Sequence, residues 1–124
     1  MDKTEDDNSQ EALRTSEAGY RELFERNPQP MWVYDQETLA FLRVNDATIA
    51  HYGYSREEFL AMTIRDIRPP EDVSRLLENV SARRSGLTQA ELWRHRRKDG
   101  SDILVEIAAH SVTYRDRAAR LVLA

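Results

Sequence analysis

The apolar positions of this chain change period several times, and each change marks an element. Residues 1–9 are charged and carry no large aliphatic side chain, which predicts a disordered tail. Leu13, Tyr20, Leu23 and Phe24 then recur as a sparse helical stripe and predict a flanking segment over residues 10–27, helical as far as Arg26. A stripe this narrow suits packing on its own domain or pairing with a second chain. Asn27-Pro28-Gln29-Pro30 breaks the helix and opens a core over residues 28–124. Met31–Asp35 and Phe41–Val44 read as strands joined closely enough for an antiparallel hairpin. Val73, Leu76, Leu77 and Val80 return to helical spacing behind Pro69-Pro70-Glu71-Asp72, whose prolines and acids suit a first turn. The helix so predicted runs from Glu71 to Arg84. Three strands follow, at about Gln89–Lys98, Asp102–Thr113 and Ala119–Ala124, with turns at Asp99-Gly100 and Arg115-Asp116-Arg117. Two strands, several short helices and three more strands make an α+β fold: a five-stranded antiparallel sheet with helices on one face.

The stretch from Val44 to Phe59 organises the rest. Asn45 is a good N-cap, Ile49 and Tyr52 follow at helical spacing, and Gly53 can end that helix in a left-handed conformation. Ser55-Arg56-Glu57-Glu58 is a capping box that starts a second short helix at once. Helices this short need a sheet behind them to bury their apolar faces. Taken with Tyr52-Gly53-Tyr54 and the turn Lys98-Asp99-Gly100-Ser101, the run resembles the core of PAS sensory domains, from about Tyr20 to Ala124. The family commonly has a glycine near Thr63, and its absence here puts the local turn in question. The resemblance implies a sensory input and dimerisation domain with no catalytic activity of its own. Its parent would be a histidine kinase or cyclic-dinucleotide enzyme of the two-component or phosphorelay kind. It also implies a homodimer contact through Leu13, Tyr20, Leu23 and Phe24. Family members continue past the last strand into an Asp-x-Thr motif and a linking helix, so the chain reads as a piece of a longer protein whose output module is missing.

Composition narrows the chemistry. The 124 residues suit one domain, and 22 acidic against 18 basic residues argue against nucleic acid as a partner. The chain has no cysteine, which excludes disulfides, thiolate metal sites and flavin–cysteinyl photochemistry. An acidic, polar start is unlike a secretory signal, and no apolar run approaches the ~20 residues of a membrane span, so a cytoplasmic domain is expected.

Alternation along the strands sorts the candidate site. Ile103, Val105 and Ile107 form the uniformly apolar side of their strand, because Glu106 and His110 lie on the other. Resemblance to ligand-binding PAS domains places Trp32, Tyr34, Trp93 and His95 on the same inner face, with Ile49, Tyr52, Leu76 and Leu77 completing a cavity. His95 is then either a hydrogen-bond partner for a small ligand or a core histidine bonded to Tyr34 or Tyr52. The large side chains of Trp32, Tyr34 and Trp93 could fill the cavity, which leaves a ligand-free interaction and dimerisation module as the alternative. Haem-binding relatives use a histidine on the long helix, and residues 71–84 contain none, which argues against haem. A non-covalent flavin or a small metabolite stays open. Three scattered histidines without carboxylates at ligand spacing argue against a metal. Arg94 to Lys98 is a basic run, but on a strand its charges divide between two faces. Asp35 is read as capping the turn after its strand, since no spacing argument places a nucleophile or second acid beside it.

Overall fold

The computed structural model describes residue 19, residues 21–82 and residues 87–124, with the side chains of 81, 82 and 87–90 left out. Five antiparallel strands lie in the order β2-β1-β5-β4-β3: β1 (Met31–Asp35), β2 (Phe41–Val44), β3 (Leu87–Arg96), β4 (Asp102–Tyr114) and β5 (Arg117–Leu123). Ahead of them is a helical turn, α1, over residues 21–25. Between β2 and β3 the chain makes α2 (Asp46–Tyr52), α3 (Arg56–Leu60), 3-10 turns at Ile64–Ile67 and Pro70–Asp72, and α4 (Val73–Ala82). This is the α+β architecture that the pattern predicts.

The local signals act as expected. Asn45 accepts from the Thr48 amide, Gly53 closes α2 at φ 89°, and Ser55 and Glu58 form the reciprocal capping box of α3. Where the family's glycine is missing, Thr63 stays extended at φ −117° and caps the Ile64–Ile67 turn through a second capping box with Asp66. Asp99 anchors the β3–β4 turn by accepting from the Ser101 amide and hydroxyl, with Gly100 at φ 89°. The β4–β5 turn has Arg115 and Asp116 at φ 49° and 64°, the left-handed pair that a two-residue hairpin needs.

β3 lies about two residues earlier than its sequence pattern indicates. Its end is set by the turn, where the Arg97 amide donates to the Ser101 carbonyl and the Gly100 amide to the Arg97 carbonyl, while the Lys98 amide donates to the Tyr52 carbonyl at the end of α2. The core sits between the sheet and the helices. Trp32 meets Phe41 and Tyr52 edge-to-face at 6.0 and 5.8 Å, and Phe41 meets Phe59 at 5.0 Å.

Candidate functional site

The sheet register puts Trp32, Val122 and Ala109 side by side on the inner face, with Trp93 and His95 further along it opposite Val105 and Ile103. Trp32, Tyr34, Tyr52, Leu76, Trp93 and His95 are buried, and Ile49, Ile103, Val105 and Ile107 pack partly buried against them. These side chains fill most of the interior. What remains is a pocket of about 30 Å³ lined by Trp32, Tyr34, Leu76, Trp93 and Ile107, together with Ile64, Arg68, Asn79, Val80, Ala109 and Val122. Ile49, Tyr52, His95, Ile103 and Val105 support that pocket from behind without lining it.

Leu77 does not belong to it. It is 39% exposed, because α4 turns Leu76, Asn79 and Val80 inward. At about 100° per residue, a face centred on those three leaves Leu77 on the outer shoulder. Asn79 was legible in principle, since it stands three residues after Leu76. Arg68 was not, because an arginine normally reads as surface.

The polar groups of this core have an unusual balance. The Tyr52 hydroxyl lies 2.6 Å from His95 Nδ1, so the contact is with Tyr52, one of the two tyrosines considered from sequence. Burial pushes the Tyr52 hydroxyl well up from its ordinary pKa, so it keeps its proton. Burial, and then the Arg68 charge, hold His95 well below the usual imidazole value. The imidazole is accordingly neutral, and its proton sits on Nε2 in the tautomer whose Nδ1 accepts from the Tyr52 hydroxyl. That Nε2 is buried without a partner, and so are Trp32 Nε1 and Arg68 Nε. Arg68 is 8% exposed, donates to the Ile64 carbonyl at 3.3 Å, and lies 5.1 Å over the Trp93 ring. No carboxylate pairs with it among the described residues. Desolvation lowers its pKa to about 10.

Other candidates resolve simply. Asp35 accepts from the amides of Glu37 and Thr38, and Arg117 donates to it at 2.7 Å. That arginine first, then the Thr38 amide, lower the carboxyl pKa. The basic run is divided: Arg94 pairs with Asp72 and Glu71, Arg96 with Asp102, and Lys98 with Glu58. His51 and His110 are exposed, and no metal-binding cluster occurs among the described residues.

The outer face differs. Leu13 and Tyr20 lie outside the described residues, while Leu23 is 68% exposed and Phe24 half-buried. An open groove of about 570 Å³ runs between α1 and the sheet, lined in part by Leu23, Phe24, Met31, Val33, Val112, Tyr114 and Leu121. Two anchors hold α1. Glu25 pairs with Arg43 and Arg56 at 3.0 Å each, and Arg43 lies 4.6 Å over the Phe24 ring. Asn45, fully buried, donates to the carbonyls of Phe24 (2.9 Å) and Gln29 (3.0 Å) and accepts from the amides of Met31 and Thr48 and the Thr48 hydroxyl. One side chain thus ties α1, β1 and α2 together.

The PAS fold family matches residues 18–124, and the chain belongs to it. As a PAS domain it is a sensory module. It is 27% identical over 107 residues to the methyl sulfide methyltransferase-associated sensor of Methanosarcina acetivorans, a match covering 84% of this chain and 10% of that protein's length. The chain therefore spans about a tenth of that relative. Among solved structures, the PAS domain of an HTR-like protein from Haloarcula marismortui superposes with TM-score 0.79 at 20% identity, over 94% of this chain and 96% of that one. A domain of a sensory box sensor histidine kinase/response regulator from Geobacter sulfurreducens gives TM-score 0.73 at 25% identity, over 90% and 95%. No helix among the described residues is long and apolar enough to cross a membrane.

Proposed function

We propose that this chain is the sensory input and dimerisation domain of a cytoplasmic signal-transduction protein. It takes a small molecule in its core pocket and relays the change to an output module elsewhere in the same protein. The kinase named in one structural relative favours a histidine kinase as that output, with a cyclic-dinucleotide enzyme as the other candidate. Asn45 carries the reading. It bonds α1 on one side and the start of α2 on the other, so a change of packing around Tyr52 reaches α1 through a rigid joint. An input acts by preferring one packing state over the other. Dimerisation then places α1 and its groove against a second copy.

One observation favours the alternative, a ligand-free interaction and dimerisation module: the core pocket holds only about 30 Å³. That is too small for a flavin or a haem and is on the scale of one or two waters. Native against denaturing mass spectrometry of freshly purified protein separates the readings. Mass excess lost on denaturation, with a dimer present, supports the sensor. A dimer without excess supports the ligand-free module, and a monomer under all conditions overturns the dimerisation shared by both.

A further inference from the structure

We propose that the core pocket beside Arg68 is a site for a small planar monoanion, a carboxylate of the size of formate or acetate. This rests on reading the core pocket as the input site and names what it takes. Two of the residues that line the pocket carry a buried polar atom without a partner, Trp32 Nε1 and Arg68 Nε, and His95 Nε2 behind it is a third. An indole N–H and a guanidinium N–H can only donate. His95 Nε2 joins them in the tautomer whose Nδ1 accepts from the Tyr52 hydroxyl. The missing partner is thus an acceptor, because the pocket's unpartnered groups, an indole and a guanidinium N–H, only donate.

Charge points the same way. Arg68 is almost wholly buried and makes no ion pair among the described residues. The nearby acid, Asp72, is already held by Arg94. A second cation, Arg75, lies 3.9 Å over the same Trp93 ring and adds to the positive field instead of offsetting it. Burial lowers the Arg68 pKa only to about 10, so the guanidinium stays charged at neutral pH. A buried charge without a counter-charge is costly, and an anion removes that cost. A guanidinium's planar fork suits a planar oxyanion that can accept two parallel bonds. The volume of about 30 Å³ restricts the anion to very few heavy atoms.

The chain has two tryptophans, Trp32 and Trp93, and both line this pocket. Their indole N–H resonances in the 15N-labelled chain therefore report it directly. Separate titrations would use sodium formate, sodium acetate, sodium chloride and ethanol, with peaks assigned in Trp93→Phe. The expected result is a saturable downfield shift of the Trp32 indole proton with formate or acetate and none with the other two. Arg68→Met should weaken that binding about tenfold or more, the usual size for a lost charge-assisted hydrogen bond. Where Arg68→Met does not fold by circular dichroism, Trp32→Phe keeps the ring, removes a donor and should weaken binding several-fold, read through Trp93 fluorescence. No saturable shift with either carboxylate, or unchanged affinity in the folded variant, overturns the site. Equal saturation by chloride overturns the planar oxyanion. Saturation by ethanol alone overturns the anion while leaving the pocket as an input site, so the two readings fail separately.

Discussion

The two faces of the sheet are made from alternate residues of the same strands, yet one is closed and the other open. On the inner face Trp32 is covered by Phe41, Tyr52 and His95, and about 30 Å³ remains. On the outer face Met31 and Val33, its immediate neighbours, line a groove of about 570 Å³ beside α1. The chain's own helices satisfy the first surface. The second exposes apolar side chains to water at a cost of roughly 25 cal/mol per Å², a cost that a further copy or segment would relieve. Closure favours selectivity towards something very small, and openness favours association. Asn45 is the joint between the two faces.

Breaking that joint is expected to have the largest effect. Asn45→Ala leaves the Met31 and Thr48 amides and the Phe24 and Gln29 carbonyls without their side-chain partner. At about 1–3 kcal/mol for each buried group left unsatisfied, and with relaxation recovering part, a loss of roughly 3 kcal/mol in urea unfolding is expected. The pattern matters more than the total. Hydrogen exchange should accelerate more at residues 21–25 than at β4 and β5, because α1 loses one of its two anchors. Uniform acceleration would mean that the two faces are not coupled through this residue.

How much of this was legible follows from the range of each signal. Gly53, the Ser55–Glu58 box and the N-cap bond of Asn45 act within a few residues, so the sequence displays them, whereas the bonds of Asn45 to Phe24, Gln29 and Met31 reach too far along the chain to show. Alternation along β4 separated Ile103, Val105 and Ile107 from Glu106 because a sheet face repeats every second residue. The end of β3 was missed because Lys98 belongs to the turn that the Arg97–Ser101 and Gly100–Arg97 bonds close, and its charge does not distinguish it from the strand residues before it. Leu77 misled because adjacent residues of a helix lie about 100° apart, and spacing alone does not decide whether the core face is wide enough to take both leucines. Arg68 carries the strongest electrostatic feature of the pocket and gave no sign at all. Nothing local distinguishes an arginine that folds inward from one that does not.

A smaller effect sharpens the inner half of the comparison. His95 has a folded pKa well below its ordinary 6.5, by burial first and then by Arg68. As pH falls below about 6.5, the unfolded chain takes a proton that the folded chain refuses, so this contribution is complete above that value and is lost on acidification. The slope is at most about 1.4 kcal/mol per pH unit. His51 is also lowered and adds in the same direction, while the paired Asp35, whose pKa is lowered from 3.8, loses its contribution only at lower pH. Chemical unfolding between pH 7 and 5 should therefore show a shallower slope in His95→Gln than in the parent chain. Equal slopes would mean that His95 is not held neutral by its surroundings.

The smallest effect on folding tests the outer half. Leu23 is 68% exposed, so Leu23→Glu removes almost no intramolecular burial, and a stability change within about 0.5 kcal/mol is expected at dilute protein. If α1 packs against a second copy, a buried carboxylate there is costly, and the dimer constant should weaken about tenfold or more by sedimentation. The two readouts divide the possibilities cleanly. Lost association with intact folding assigns the groove to a partner copy. Lost folding with unchanged association would mean that Leu23 serves its own domain, and the outer face would then be closed in the same manner as the inner one.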